Sequence, residues 1–424
     1  MKSKSKSKLN QNEIKMNWIF TMVIYKQTLF FYMDHEVIGL ELVVLLILLL
    51  IVIIWENDER VNWIPSSVIA VVIGMIVSSL WHSANDVPFV FAPELFLYLL
   101  LPVILLNSSF KFNIKSLHKT WMSSLAFSFP GTICSIGMIA WGIRVVVPEL
   151  KWVDALSMAS ILAPTDTVAT IMLSKSLDDT FIAEVLENEA VMNDAIAVVF
   201  VRLFSTMSVQ HQVLNRWIPM RAVGISILFM CLSAVFGALS AFSMRETKIT
   251  NVSIHFVVAL MVYAICEYVG ISGIVGLFIY GSLVKPSDEV KVSITNISVI
   301  VEAYVYLTLG LALHTYDMSK IGLSFLILIL CITSRVIVVF MIGGCLRLFG
   351  RKQWTVRTLL FFSMCGIRGA ISFAMCIGLR SGWSSFVQST TFVVIIFTII
   401  TMGTLQKCMQ KILLKNRQFG INSI

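Results

Sequence analysis

The sequence predicts an all-α polytopic membrane protein of about 13 transmembrane helices, arranged as two six-helix repeats of inverted topology. Three observations carry this. Of 424 residues, 58% are hydrophobic and 13% charged, against about 25% charged in a soluble chain. Apolar runs long enough to span recur from end to end, and runs such as 42–55 lack the alternation of a membrane β-strand. Two spans are irregular, one holding Pro164 and the other Gly366-Ile-Arg-Gly369, and they fall seven spans apart. That spacing fits repeats made of spans one to six and eight to thirteen, and broken helices at matching places point to a midplane binding site.

The spans are expected near 38–55, 64–81, 87–107, 121–147, 152–173 and 181–205, then 220–244, 252–268, 270–284, 292–314, 321–346, 358–379 and 387–406. Span five is interrupted at Pro164 and span twelve at its paired glycines. Spans eight and nine are short and abut at Gly270-Ile-Ser-Gly273, where two glycines weaken a continuous helix. Residues 1–36 form a basic amino-terminal segment that begins with alternating lysines, Lys2 to Lys8. Within it the partly apolar stretch Trp18–Met33, interrupted by Lys26, reads equally as a signal sequence, a weak span or an interfacial segment. Residues 37–408 are expected to form the membrane domain, and 409–424 a short basic cytosolic tail.

Basic residues sit in alternate loops, which sets the orientation. One set holds Lys111, Lys115, Lys119, Lys175, Arg245, Lys248, Lys285, Lys291, Arg347, Arg351, Lys352 and Arg357, with Lys407, Lys411, Lys415 and Arg417 in the tail. The other holds only Lys151, Arg216, Lys320 and Arg380, with Arg221 at its edge. The richer set is expected in the cytoplasm, carboxyl terminus included. The same clustering accounts for the net charge of +8 without nucleic acid as a partner. Eight cysteines include no C-x-x-C pair and six histidines no H-x-x-x-H pair, which argues against zinc and dithiol chemistry. No nucleophile–base pair or phosphate-binding glycine loop is present, so neither an enzyme nor a cofactor is expected. No retention or lipidation motif chooses between plasma membrane and endomembrane.

The chemistry lies in acids at membrane depth. Asp166 in span five and Asp194 in span six each cost about 2.5–3.5 kcal/mol to insert, and acids retained there point to a cation or a proton. On a helix, Glu189 and Asn193 share a face, while Asp194 points about 140° away from Glu189. One acid therefore suits a fixed basic partner and the other a water-filled path; Glu189 suits the first role and Asp194 the second. Arg368, between two glycines, is the natural partner of Glu189; the alternative is that it meets helix-end carbonyls. Arg335 is a second candidate, for Glu189 or for Glu302 in span ten. Around Asp166, a carbonyl freed by proline, the Thr165 hydroxyl and the carboxylate make a hard oxygen site suited to an alkali cation. The candidate ion- and proton-binding residues are thus Asp194, Asp166, Asn193 and Thr165, with no metal expected beyond the transported ion.

Four motifs carry a resemblance. Glu94-Leu-Phe-Leu-Tyr-Leu-Leu-Leu-Pro-Val-Ile-Leu-Leu106, Ala163-Pro-Thr-Asp-Thr-Val168, Asn188-Glu-Ala-Val-Met-Asn-Asp-Ala195 and Gly366-Ile-Arg-Gly-Ala-Ile-Ser-Phe373 follow one another in order. With Gly270-Ile-Ser-Gly-Ile-Val-Gly276, they make the chain, from about Ser66 to Thr404, resemble the sodium/proton exchangers of the monovalent cation:proton antiporter family. The resemblance implies crossed discontinuous helices, a homodimer in membrane lipid, and Na+ or K+ and H+ as substrates. It implies that Asp194 is the carrier, that Asn193 is the neutral neighbour associated with electroneutral exchange, that Asp166 supports the ion, and that Glu189 and Arg368 form a structural ion pair. There are departures. Thr167 replaces the family's proline, Asn188 its glycine and Ala190 a serine whose hydroxyl is available to a cation; Asn107 aligns with an acid. The roughly 18 residues after the last span are fewer than the long regulatory tail of many animal exchangers.

The expected activity is exchange of Na+ or K+ for H+ by alternating access, with Asp194 taking one or the other and the empty anionic site switching poorly. Two rivals stand beside it: a cation channel on the same helices, and a non-transporting subunit that keeps the scaffold, to which Asn188 and Ala190 point.

Overall fold

The structure is a computed structural model. It describes residues 35–57, 65–85, 95–112, 114–166, 170, 180–209, 217–246, 251–316, 319–379 and 382–414, whose regular secondary structure is helical with no strand among them. The stretch 18–33, Thr167 and the end of the basic tail lie outside the described residues.

Among the described residues fourteen α-helices follow in order. They are α1 (His35–Asn57), α2 (Ser66–Asn85), α3 (Leu101–Lys111, entered through a π-helical turn Phe96–Leu100), α4 (Ile114–Val146) and α5 (Trp152–Leu162). Next come α6 (Thr180–Val209), α7 (Trp217–Glu246), α8 (Val252–Val269), α9 (Gly273–Val284) and α10 (Asp288–Leu311). The last are α11 (Ile321–Leu348), α12 (Val356–Met364), α13 (Ala370–Ile377) and α14 (Ser384–Leu414), which runs past the expected span end near 406. Six of these, α4, α7, α8, α10, α11 and α14, contain stretches long and apolar enough to cross a membrane, and five shorter apolar helices accompany them. The long helix α6 falls outside both groups because Glu184, Glu187, Glu189, Asp194 and Arg202 interrupt its apolar surface. Large apolar side chains such as Trp141, Leu239 and Ile329 are exposed, as lipid-facing surfaces require.

Residues up to Ile51 cluster apart from those beginning at Val52, and the packing described here is that of the second group. Its helices sort into two bundles. In the first, α4 packs against α5, α6 and α11, and α14 against α11, α12 and α13. In the second, α10 packs against α2 and α3, and α9 against α3, α7 and α8. Contacts between the bundles are sparser, chiefly α14 with α2, α6 with α7 and α9, and α13 with α10.

Local chemistry explains the helix ends. Gly270 adopts φ 85, a left-handed conformation that glycine enters without steric cost, and its N–H reaches back to the Glu267 and Cys266 carbonyls to close α8. Ser272 then caps α9 through the Val275 N–H, so spans eight and nine are separate helices, as the paired glycines predict. Ser287 caps α10, whose first turn carries Asp288 and Glu289, a favourable placement against the helix dipole. Within the first bundle Phe127 stacks on Trp354 (4.8 Å between ring centroids) and Phe362 (4.6 Å), pinning α4 to α12.

Both predicted breaks are present. Span five unwinds after Leu162 over 163–166, and span twelve is split between α12 and α13 over 365–369. The two unwound stretches meet, with the Asp166 N–H donating to the Ile367 carbonyl at 2.7 Å. Crossed discontinuous helices thus occupy the two matching places that the sequence marks.

Candidate functional site

The crossing is assembled from Arg368 outward. Its guanidinium donates through Nη1 to the carbonyls of Ala163 and, at 2.7 Å, Pro164, and its own N–H is held by Thr398 Oγ1 at 3.2 Å. Pro164 ends the regular ladder of α5, which leaves carbonyls in need of donors. An arginine that is always charged satisfies them and opposes the negative end of the helix dipole.

This corrects one expectation. Arg368 is not the partner of Glu189; that carboxylate, 1% exposed on α6, is clamped by Arg335 of α11, itself 7% exposed. Arg335 Nη1 lies 2.5 Å from Oε1 and Nη2 3.1 Å from Oε2, a two-pronged geometry that suits guanidinium and carboxylate. The Arg335 guanidinium also lies over the Phe362 ring at 5.5 Å. The physical reason is that Arg368 is drawn to the freed carbonyls of span five, whereas Arg335 stands on an intact helix with its fork available. Nor does Arg335 hold Glu302, which accepts a hydrogen bond from Ser298 Oγ at 2.5 Å in the other bundle.

Asp166 is buried at the crossing, where the Tyr306 hydroxyl donates to its Oδ2 at 2.5 Å. Its carbonyl accepts from the Thr170 hydroxyl at 2.6 Å and the Thr170 N–H at 3.2 Å. Gly369 presses on it: a Cβ built there would lie 2.5 Å from the Asp166 Cγ. The Thr165 hydroxyl beside it is buried without a hydrogen-bond partner among the described residues, so its oxygen fits a ligand role.

Asn193 and Asp194 lie on α6, each 2% exposed. The Thr132 hydroxyl of α4 contacts Asn193 Oδ1 at 2.6 Å. One turn away Asn188 donates to Thr120 Oγ1 (3.2 Å) and Ser124 Oγ (3.4 Å), so this departure from the resembled motif stitches α6 to α4. Tyr306 lies within electrostatic reach of Asp166, Asp194 and Glu302, and Arg368 within reach of Asp194 and Glu189. The predicted residues are therefore gathered in one region, with Glu302 at its margin.

Asp194 borders a cavity of about 10 Å³ whose other walls are Leu105, Ser108, Val191, Ala195, Ile274 and Phe278. That is room for about one water-sized particle. Ile274 also lines a larger cavity of about 280 Å³, together with Tyr98, Val198, Arg202, Tyr263, Glu267 and Met375 among others. In its wall Arg202 Nη2 meets both Glu267 oxygens at 2.5 Å, and Nη1 reaches the Ile271 carbonyl at 3.1 Å. This pair ties α6 of the first bundle to the α8–α9 turn of the second.

Tyr306, Thr132, Ser108 and the Arg202–Glu267 pair escape a reading of the sequence for motifs. For the pair a signal exists: both are charges inside apolar spans, where each calls for a partner. Hydroxyls carry no such signal.

A model of the family described as "Sodium/hydrogen exchanger, transmembrane" matches residues 43–411. The mouse protein named sodium/hydrogen exchanger 8 is 23% identical over 387 residues, 81% of this chain and 66% of that protein. The chain thus spans slightly under two thirds of that relative's length. Sodium/hydrogen exchanger 1 of Oryza sativa subsp. japonica is 24% identical over 432 residues, 89% of this chain and 79% of that protein. The solved structure of the sodium proton antiporter MjNhaP1 from Methanocaldococcus jannaschii has the same fold, with a TM-score of 0.72 at 18% identity over 90% of this chain and 99% of that one.

Proposed function

The chain belongs to the sodium/hydrogen exchanger family of multi-pass membrane proteins, and from that premise we propose that it exchanges a monovalent cation, Na+ or K+, for H+ at the Asp194 carboxylate. The observation that carries the reading is the placement of Asp194: buried on α6, within electrostatic reach of the crossing, and facing a cavity between the two bundles. Asp194 holds either a proton or a cation. Each neutralises the carboxylate, so the loaded site crosses an apolar barrier without a bare charge, whereas the empty site does not. The first bundle moves against the second, and access alternates between the two sides. Thr165, Asp166 and Asn193 support the ion from the crossing and from α6.

The larger cavity lies at the ends of α6, α8 and α13 and the start of α9. The adjoining loops carry few basic residues, so this side is the non-cytoplasmic one and the carboxyl terminus is cytosolic. The protein works as a homodimer in the plasma membrane or an endomembrane.

The test is cation-driven proton flux in proteoliposomes under Na+, K+ or Li+ pulses. Wild type is expected to couple the two flows; Asp194→Asn is expected to abolish flux while remaining monodisperse. Full flux from that variant refutes the reading. Cation movement without proton movement identifies a channel.

A further inference from the structure

We propose that Ser108 of α3 is a cation ligand that the second bundle lends to Asp194, so that the site is complete only when the bundles stand as they do in this structure. This rests on the exchange reading above. Among the side chains lining the 10 Å³ cavity, only Ser108 and Asp194 are polar; the rest of the wall is apolar. Ser108 is 4% exposed.

The hydroxyl has one proton, and it is committed to the Ile104 carbonyl at 3.1 Å within the same helix. What remains is a pair of acceptor sites. An oxygen in that state suits a cation and is poorly suited to a carboxylate or another anion. A sodium or potassium ion entering an apolar cavity has lost water ligands, so a single neutral oxygen matters more there than in solvent. Ala190 gives α6 no hydroxyl of its own at the position where the resembled motif has one. Ser108 supplies one from the facing helix instead.

The two ligands stand on different bundles, because α3 packs with α9 and α10 while α6 packs with α4 and α5. Displacement of one bundle against the other separates them. A proton on Asp194 needs no second ligand and is indifferent to the separation. A cation is not. The site therefore holds its cation more tightly in this conformation than in the opposite one, which favours cation release on the other face.

The experiment uses the full chain in right-side-out and inside-out vesicles, with Na+, K+ and Li+ pulses and choline as control. Ser108→Ala is expected to raise the KM for the cation about 10-fold on one face of the membrane only, the worth of one ion–oxygen contact. KM on the other face is expected to stay unchanged, and Ser108→Thr to restore the wild-type value. Unchanged KM on both faces overturns the proposal. So does an equal rise on both faces, and so does a shifted pH profile at constant KM, which would make the hydroxyl a donor to the carboxylate. Thermal stabilisation by NaCl over choline chloride, read on purified protein, separates this from the exchange reading. Ser108-dependent stabilisation without coupled flux supports the ligand and refutes exchange; stabilisation that is identical in Ser108→Ala overturns the ligand.

Discussion

Arg335→Ala removes the clamp on Glu189 and leaves that carboxylate 1% exposed with its partner gone. Breaking one side of a buried, hydrogen-bonded ion pair costs about 3–5 kcal/mol, most of it the penalty of the stranded charge. Glu189→Gln in the same chain removes the stranded charge and should recover most of the loss. Arg368→Ala acts differently. It deprives the Ala163 and Pro164 carbonyls of a donor, about 1–3 kcal/mol, and Glu189→Gln should not rescue it. The assay is a double-mutant cycle on reversible unfolding in SDS–detergent mixtures, with the coupling energy as readout. Coupling of at least about 2 kcal/mol is expected between 189 and 335, and well under about 1 kcal/mol between 189 and 368, which are within electrostatic reach but share no contact. The reverse pattern would refute the assignment of Arg335 as the partner.

Gly369→Ala should push the Asp166 carboxylate out of place, since the new methyl would sit 2.5 Å from its Cγ; loss of most cation-coupled flux at near-normal yield is expected, and wild-type flux would show that the crossing tolerates the shift. Arg202→Gln should loosen the tie between α6 and the α8–α9 turn; the partners are 40% and 20% exposed, so a stability loss of no more than about 1 kcal/mol is expected, together with a changed ratio of forward to reverse flux. Exchange of the two charges, Arg202→Glu with Glu267→Arg, should recover the ratio; failure to do so would count against the tie.

Hydrophobicity made the spans legible, because lipid demands long apolar helices whatever their neighbours. The break at Pro164 and the turn at Gly270 were legible because backbone geometry is local. Partner identity was not. Helical phase tells that Glu189 and Asp194 face different ways, but Glu189 and Arg335 are 146 positions apart, and the arginine that the sequence favours as partner, Arg368, is held instead by the carbonyls of Ala163 and Pro164. Ser108 and Tyr306 were hidden for another reason: hydroxyls are common in membrane helices, and only the packing of α3 and α10 against the first bundle reveals what they face.

The clamp between Glu189 and Arg335 also bears on electrical behaviour. Two opposite charges locked together add nothing to the net charge of the bundle that carries them, and arginine keeps its proton throughout. In the proposed exchange what varies with cargo is the charge on Asp194, and one proton cancels it as completely as one sodium ion. Over a full cycle the field across the bilayer, worth about 2.3 kcal/mol per charge at 100 mV, finds no net displacement to act upon. Turnover would then follow chemical gradients alone, and clamping the vesicle potential at any value should leave its steady state unmoved.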